Sequence, residues 1–261
     1  MDKKFLKVGK SVNFKFNTEG LECDLTPGQV YDVKVDRYTD SISLEEIDSF
    51  SLPEKVYITD KDQKFINKVL KRYEESESGF TGVMLAGTKG SGKTITAKVI
   101  ANSSNLPIIN IGRNINPLYL TKLVRMLGET NVCFFFDELD KVLENYDDSV
   151  LLQILDGSDT TGKHLILFTC NDQNEISEYL IDRCSRIRYW KEFDELSPSL
   201  IQMILEDTLN EKKEAKSLQD FINENFGVKS FDNVLSFVKE VNAFPTDTFE
   251  ELFSDMNLTQ K

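Results

Sequence analysis

The sequence contains few of the residues on which metal and disulfide chemistry depends. Its 261 residues include one histidine and four cysteines, and no two cysteines form a C-x-x-C pair. A structural zinc site needs four clustered cysteine or histidine ligands, so this composition argues against one. Cys133 and Cys170 lie within apolar runs, where cysteine serves as a small buried residue.

A long apolar run is also missing. No stretch approaches the roughly 18 apolar residues that are needed to span a bilayer. The first ten residues, MDKKFLKVGK, are charged and lack the apolar core of a signal peptide. These features predict a cytoplasmic protein with no membrane partner.

Basic residues are outnumbered by acidic ones. The chain has 31 Lys and Arg against 44 Asp and Glu, a net charge of -13. This balance does not favour nucleic acid as a partner, because such binding depends on neutralising phosphates. A local cluster of lysines near the N-terminus leaves nucleic acid open, although we interpret it as solubilising charge at a sheet edge. The cluster consists of Lys3, Lys4, Lys7, Lys10 and Lys15.

The chain divides into three predicted domains. In residues 1–53, apolar and polar residues alternate around 12–16 and 31–35, which predicts a small, mostly β domain. Residues 54–193 alternate short apolar runs with helical stretches, the first of which is expected to begin near Asp60, with Asp60 as its N-cap residue. Residues 194–261 carry helical apolar stripes and are predicted to form a helical lid and tail.

The apolar runs of the middle section predict the fold class. Nearly continuous apolar runs indicate strands that are covered on both faces, as in a parallel sheet. Their alternation with helices predicts an α/β fold with a doubly wound, five-stranded parallel sheet, whose ligands bind beyond the carboxyl ends of the strands. The five runs are 83–86, 108–111, 132–136, 165–168 and 187–189.

The strongest motif is GTKGSGKT, at residues 87–94, which matches the P-loop (Walker A) pattern G-x-x-x-x-G-K-[ST] in full. It follows a predicted strand and precedes a predicted helix, so backbone amides and the helix dipole would face phosphate groups. Lys93 would neutralise the β- and γ-phosphates of ATP, and Thr94 would hold Mg²⁺. The predicted nucleotide-binding residues are Gly87, Thr88, Lys89, Gly90, Ser91, Gly92, Lys93, Thr94 and Ile95.

A second motif, CFFFDELD, delivers two carboxylates at the end of an apolar strand, as in a Walker B sequence. Asp137 is expected to orient Mg²⁺, mostly through its water ligands, and Glu138 to act as the general base on the attacking water. An isolated acidic pair often only complements a helix dipole. The position of this pair, on the next predicted strand but one after the P-loop, favours a hydrolysis site.

With these motifs, residues 54–245 resemble the AAA+ ATPases, and in particular the core AAA clade. The resemblance implies a polar sensor at the end of the fourth strand, where LILFTCND places Asn171. It also implies that Arg183, in EYLIDRCSRIRYW, is an arginine finger for a neighbouring subunit and that Arg186 assists it.

Two branches of the family compete. The segment around Arg183 also resembles the S-R-C motif of replication clamp-loader subunits, with Asp182 in place of the serine. Those subunits carry a further collar domain, and they have an arginine in the lid at the position where this chain has Ser230. Both features disfavour the clamp-loader branch. The short segment after Ile111 lacks an aromatic-hydrophobic-glycine pore motif and is similar to the Bcs-type AAA chaperones, which disfavours peptide threading.

The resemblance implies a Mg²⁺-dependent ATPase that works as a homo-oligomeric, hexameric ring. It would remodel or move a protein substrate or adaptor bound through the N-terminal domain, with adenine near residues 56–58. The alternative is a clamp-loader-like or DNA-replication-associated ATPase. A third reading, a nucleotide-gated scaffold with little turnover, is disfavoured because Glu138 and Arg183 are intact.

Overall fold

The computed structural model describes residues 5–14, 21–36, 38–112, 115–143, 149–156, 161–172, 174, 176–181 and 183–261. The strands are β1 Phe5–Val8, β2 Ser11–Phe14, β3 Leu21–Cys23, β4 Val30–Asp36, β5 Ser41–Ile47, β6 Gly79–Gly87, β7 Ile108–Ile111, β8 Cys133–Phe136, β9 Lys163–Cys170 and β10 Tyr189–Phe193. The α-helices are α1 Asp60–Glu75, α2 Lys93–Ser103, α3 Pro117–Leu127, α4 Leu139–Leu143, α5 Ser149–Leu155, α6 Glu178–Ile181, α7 Pro198–Thr208, α8 Ala215–Asn225, α9 Phe231–Ala243 and α10 Phe249–Asp255. None of the helices in these ranges is long and apolar enough to cross a membrane.

Five parallel strands form the centre of the molecule, in the order β10-β6-β9-β8-β7. The predicted α/β fold with a parallel sheet is therefore confirmed. The fifth strand begins at Tyr189, two residues after the start of the apolar run that predicted it. Ile187 is buried ahead of the strand instead.

The sheet continues into the N-terminal section of the chain. Strand β4 pairs in parallel with β7, and β5, β2, β1 and β3 follow in antiparallel order. Across the junction, Asn110 Nδ2 donates a hydrogen bond of 2.8 Å to Asp32 Oδ1. The predicted β strands of residues 1–53 thus extend the central sheet, a connection that their alternation did not reveal. Residues 15 and 16 lie outside the described residues, and the domain boundaries at 53 and 193 stay predictions.

Apolar packing on both faces explains the continuous apolar runs. On one face, Met84, Phe134 and Phe168 pack in a cluster that includes buried side chains of α3 and α5. On the other face, Val83 and Phe135 pack in a cluster with side chains of α1 and α2. In a strand that is buried on both faces, alternate polar side chains would lie in the core without hydrogen-bond partners. Such strands are therefore apolar along their length.

Helix α1 starts where the sequence predicted, but its cap differs. The N-cap is Thr59, and Asp60 is the first helical residue. The Thr59 hydroxyl accepts the Asp62 backbone N–H, and the Asp62 carboxylate accepts the Thr59 N–H, which completes a capping box. The reciprocal bonding satisfies two backbone donors and fixes the segment that leads into α1.

The C-terminal helices, residues 194–261 (called the lid below), have a core of their own. Phe226, Phe237 and Phe253 pack together with ring centroids 5.1 to 6.2 Å apart. The Ser197 side chain caps α7, and Pro198 occupies its first position. This arrangement confirms the predicted helical C-terminal section.

One glycine in β6 offers a direct test of how closely the chain is packed behind the P-loop. A Cβ on Gly82 would lie 2.0 Å from the backbone oxygen of Arg186, whereas a Cβ on Gly112 would meet nothing within 4 Å. We expect Gly82→Ala to lower the free energy of unfolding by at least about 2 kcal/mol, because two backbone segments must separate. Gly112→Ala is the matched control and should change it by less than about 0.5 kcal/mol. Urea unfolding of both variants measures the difference, and equal stabilities would contradict the described packing.

Candidate functional site

The predicted motifs converge at the carboxyl edge of the parallel sheet. The P-loop follows β6, Asp137 and Glu138 follow β8, and Asn171 follows β9. Because β9 pairs in parallel with both β6 and β8, the ends of these strands lie side by side. The register therefore brings together groups that are distant in sequence.

The P-loop requires glycine where it meets helix α2 and the lid. Gly92 is the N-cap of α2 and has φ 96°, a backbone conformation that other residues rarely adopt. A Cβ on Gly90 would lie 2.9 Å from Cβ of Ser230, and one on Gly92 would lie 2.9 Å from the Phe231 ring. Phe231 also donates its backbone N–H to the Gly90 oxygen at 2.9 Å. The lid thus rests directly on the phosphate-binding loop.

Lys93 is held within the loop. Its buried ammonium donates hydrogen bonds to the backbone oxygens of Gly87 at 2.7 Å and Thr88 at 2.6 Å. Burial lowers the pKa of Lys93 below its usual value. A phosphate oxygen would be a stronger partner than these neutral carbonyls, since charge-assisted hydrogen bonds are about twice as strong.

Three polar side chains form a network behind the loop. Asp137 Oδ1 accepts hydrogen bonds from the hydroxyls of Thr94 at 2.9 Å and Thr169 at 2.7 Å. The Thr169 oxygen in turn accepts the backbone N–H of Glu138 at 2.8 Å. The Thr169 hydroxyl therefore fixes the side chain of Asp137 and the backbone of Glu138 together.

Glu138 has an uncommon backbone conformation and a crowded carboxylate. Its φ of 56° lies in the left-handed region, which costs a residue other than glycine of order 1 kcal/mol. Oε1 accepts a hydrogen bond of 3.0 Å from Asn171 Nδ2, and Lys141 Nζ lies 3.1 Å from both carboxylate oxygens. The structure thus brings the predicted base and sensor into contact, together with a lysine.

Sequence reasoning missed Thr169 and Lys141. Thr169 is a hydroxyl residue that follows the apolar run 165–168 within β9, and that irregularity is a signal in the sequence. Lys141 stands three residues after Glu138, a spacing that places side chains on the same side of a helix. Its contact depends on the left-handed turn at Glu138, which the sequence does not reveal.

A cavity of about 780 Å³ lies over these groups. Its volume is within the range of roughly 300–1,000 Å³ that is typical of small-molecule sites. Its wall is formed by the connection before α1, the P-loop, the residues that follow β8 and β9, the end of β10 and the lid. The lining includes the predicted residues Lys89, Gly90, Ser91, Gly92, Lys93, Thr94, Ile95, Asp137, Glu138 and Asn171.

Two aromatic rings stand in the wall at the end formed by the connection and the lid. Tyr57 and Phe231 are stacked with ring centroids 6.3 Å apart and planes inclined by 26°. The Tyr57 hydroxyl donates a hydrogen bond of 2.5 Å to Asp207 of α7, which also pairs with Lys55. Burial, followed by the bond to Asp207, raises the pKa of Tyr57 to about 12. Asp207 therefore ties the connection to the lid.

The two predicted arginines have different surroundings. Arg183 is exposed and does not line the cavity of its own chain. Arg186 is buried and forms a bidentate pair with Asp156, with bonds of 2.7 and 2.8 Å, and also donates to the Tyr179 oxygen at 2.6 Å. In this conformation Arg186 anchors the turn that displays Arg183. To assist the arginine finger, Arg186 would have to separate from Asp156. That role stays a prediction.

The donor set at Thr94 and Asp137 is compatible with Mg²⁺. A hydroxyl and a carboxylate oxygen lie 2.9 Å apart, and both are the hard oxygen ligands that this ion prefers. Within the described ranges, no group of three or more His, Cys, Asp or Glu residues could hold a metal ion. A partial oxygen set of this kind suits Mg²⁺, which keeps several waters and binds through substrate phosphates.

A parallel sheet with a glycine loop, a lysine and a carboxylate pair at its carboxyl edge defines a P-loop nucleotide-binding domain. A protein-family model described as ATPase family associated with various cellular activities (AAA) matches residues 83–192. These residues therefore form a domain of the AAA family.

Several curated proteins are similar to the chain over this region. The 26S proteasome regulatory subunit 7 homolog of Schizosaccharomyces pombe is 32% identical over 122 residues, which are 38% of this chain and 28% of that protein. Its namesake in Saccharomyces cerevisiae is 31% identical over 122 residues, 38% of this chain and 26% of that protein. The ATPase family gene 2 protein of the same yeast is 29% identical over 125 residues, 38% of this chain and 15% of that protein. The chain spans less than a third of the length of each of these relatives.

The network around Thr169 leads to a prediction. Thr169→Val should lower the rate of ATP hydrolysis by about 10- to 100-fold, because Asp137 and Glu138 both lose a fixed partner. Thr169→Ser keeps the hydroxyl and is the matched control, with a rate within a few-fold of the wild type. The rates are measured by phosphate release at saturating ATP. A Thr169→Val protein that turns over like the wild type would show that the network does not support catalysis.

Proposed function

We propose that the chain is a Mg²⁺-dependent ATPase that works as a ring and moves or remodels a protein partner. The proposal rests above all on one observation. Lys93, Thr94, Asp137, Glu138 and Asn171 belong to three different strand ends, and all five line one cavity. A set with these roles matches the requirements of phosphoryl transfer to water.

The P-loop binds the phosphates of ATP. The ammonium of Lys93 exchanges the carbonyl oxygens of Gly87 and Thr88 for phosphate oxygens of ATP. Amides at the start of α2 add donors that have no acceptor within the helix. Thr94 and Asp137 would hold Mg²⁺, which neutralises developing charge on the transferred phosphoryl group.

Hydrolysis requires a water and a base beside the γ-phosphate. Glu138 takes a proton from the attacking water, and the oxygen of that water forms a bond to the γ-phosphorus. The bond between the γ-phosphorus and the β,γ-bridging oxygen breaks, and ADP leaves with that oxygen. Asn171 lies 3.0 Å from Glu138 and is placed to orient the same water. Proton transfer to a positioned side chain contributes about 10²- to 10⁴-fold.

Arg183 supports a site shared between subunits. It is exposed and stands outside the cavity of its own chain, while Arg186 and Asp156 fix the turn beneath it. An arginine in such a position can reach the phosphates of a neighbouring subunit and stabilise transition-state charge. This geometry favours a closed ring, and by resemblance a hexamer, over an isolated monomer.

The partner is proposed to be a protein. Two of the similar proteins are named as regulatory subunits of the 26S proteasome, and this chain carries a net charge of -13. The N-terminal strands are bonded to β7 and so are placed to transmit movement of the ATPase core to a bound substrate or adaptor. Adenine is proposed to lie near residues 56–58, of which Val56 and Tyr57 line the cavity.

Glu138→Gln tests the general base. The amide cannot accept a proton from water, so we expect ATP to bind with near wild-type affinity and hydrolysis to fall by at least about 100-fold. Phosphate release gives the rate, and a fluorescent ATP analogue gives the affinity. Lys93→Ala is the binding control, since it should abolish nucleotide binding. Wild-type turnover by Glu138→Gln would exclude Glu138 as the base.

Mixed rings test the arginine finger. Arg183→Ala alone should lose about 10³-fold in turnover, because no subunit offers a finger. In an equal mixture with Glu138→Gln, about a quarter of the interfaces would join an intact Glu138 to an intact Arg183 if subunits mix at random. Turnover should rise to about that fraction of the wild type. A mixture as inactive as its two components would contradict a finger supplied by the neighbour.

A further inference from the structure

One helix of this acidic chain carries a row of cations on its outer side. Helix α1 has no acidic residue between positions 63 and 73, although the whole chain has a net charge of -13. Five cations of α1 fall within an arc of about 100°. This arc faces away from the buried side chains Ile66, Val69 and Tyr73. Four of the five cations are exposed, and the last in sequence is half-buried. We call this set the basic face: Lys61, Lys64, Lys68, Lys71 and Arg72.

The carboxylates at the two ends of α1 leave this charge largely uncompensated. Asp62 is bound by Lys191 of β10 at 2.5 Å and by the Thr59 hydroxyl at 2.6 Å. In the described part of the chain, Glu75 is the one carboxylate within 4 Å of the basic face. It lies 3.9 Å from Lys71 Nζ, and the side chains of the pair are 54% and 76% exposed, so their attraction is weak. The basic face is therefore able to take an external anion.

The spacing of these cations is unfavourable for the helix itself. Lys64, Lys68 and Arg72 follow one another at intervals of four residues, and like charges at this spacing repel and destabilise a helix. The buried apolar side chains and the capping box at Thr59 stabilise α1 without them. A row of anions bound along the basic face would remove the repulsion. Local features that oppose stability are expected at functional sites.

The surroundings of the basic face favour nucleic acid over a protein as its occupant. Protein–protein interfaces are depleted in lysine and depend on apolar or aromatic anchors, whereas interfaces with nucleic acid are polar and strongly positive. Exposed residues that flank the basic face include Gln63 and Asn67, two amides that hydrogen-bond to each other at 2.9 Å. The rings of Phe65 and Tyr189 are packed against the core beneath α1 and offer no open platform for unpaired bases. Phosphates of a duplex therefore fit this surface best.

The acidic balance of the whole chain does not prevent such binding. At 0.1 M salt, charges that are more than about 10 Å apart are largely screened. The basic face extends about 16 Å along the helix from Lys61 to Arg72, so a phosphate beside it interacts mainly with its own cations. The net charge should instead keep the affinity low and strongly dependent on salt.

We propose that the basic face of α1 is a sequence-independent binding site for the phosphate backbone of duplex nucleic acid. Its cations act as point charges that neutralise about three or four phosphates. Contacts to phosphates carry no sequence information, so duplexes of different sequence should bind alike. The inference goes beyond the proposed ATPase function and does not depend on it, since of the five cations only Lys61 lines the nucleotide cavity.

Removal of two cations tests the site. The probe is a fluorescently labelled DNA duplex of mixed sequence and about 20 base pairs, which is longer than the basic face. Wild-type protein should bind it with a Kd on the order of 10⁻⁵ M at 50 mM salt and about 40- to 150-fold more weakly at 200 mM, as expected for three or four phosphate contacts. Lys64→Gln combined with Lys68→Gln should weaken binding by at least about 10-fold at 50 mM salt and reduce the slope of log K against log salt by about two.

Lys216→Gln combined with Lys239→Gln is the matched control. It changes the net charge by the same amount at exposed positions of α8 and α9, so binding should stay within about two-fold. Lys64→Arg combined with Lys68→Arg keeps both charges and should bind like the wild type. The Tm of the Lys64→Gln, Lys68→Gln protein should fall by no more than about 2 °C, because the substitutions remove repulsive neighbours.

Four results would overturn the proposal. They are the absence of duplex binding by the wild type at low salt, equal weakening by the two Gln pairs, displacement of the duplex by excess ADP with Mg²⁺, and preference for poly-glutamate over the duplex. The second would assign binding to net charge, the third to the P-loop and the fourth to an acidic protein partner. A wild-type protein that binds the duplex but lacks ATPase activity would refute the proposed function and leave this inference standing.

Discussion

The parallel pairing of β6, β9 and β8 is the constraint on which the candidate site depends. Phe168 of β9 pairs with Met84 of β6 and with Phe136 of β8, so the residues that follow these strands emerge at one edge. Burial on both faces fixes this register, because a shift by one residue would exchange the side chains that the two faces bury. The apolar core of the sheet therefore sets the distances among the candidate site residues that follow its strands.

At this edge of the sheet, the hydroxyl of one residue fixes the positions of two others. Thr169 donates to Asp137 and accepts the backbone N–H of Glu138, so it joins the predicted metal-orienting group to the predicted base. The bond to Glu138 N–H lies at the residue with φ 56° and helps to hold its uncommon backbone conformation. Strain of this kind persists where the surrounding contacts over-determine the backbone, which is frequent at functional sites.

The sequence allowed the prediction of those parts of the site that follow from local pattern. The P-loop, the carboxylate pair and Asn171 each come directly after an apolar run, and the structure brings them to one cavity. Thr169 and Lys141 were missed because their roles depend on strand register and on a left-handed turn. The junction of β4 with β7 was also missed, since alternating residues identify a strand but not its neighbour. Arg186 was predicted beside Arg183 from spacing, but spacing could not show that Asp156 would bind it.

The lid contacts two other segments that form the wall of the cavity. Phe231 bonds to Gly90 of the P-loop, while Asp207 binds Tyr57 in the connection before α1. A nucleotide that enters between the P-loop and the connection must fit the spacing that both contacts impose on the lid. The lid has its own aromatic core, so these two contacts act on one packed unit.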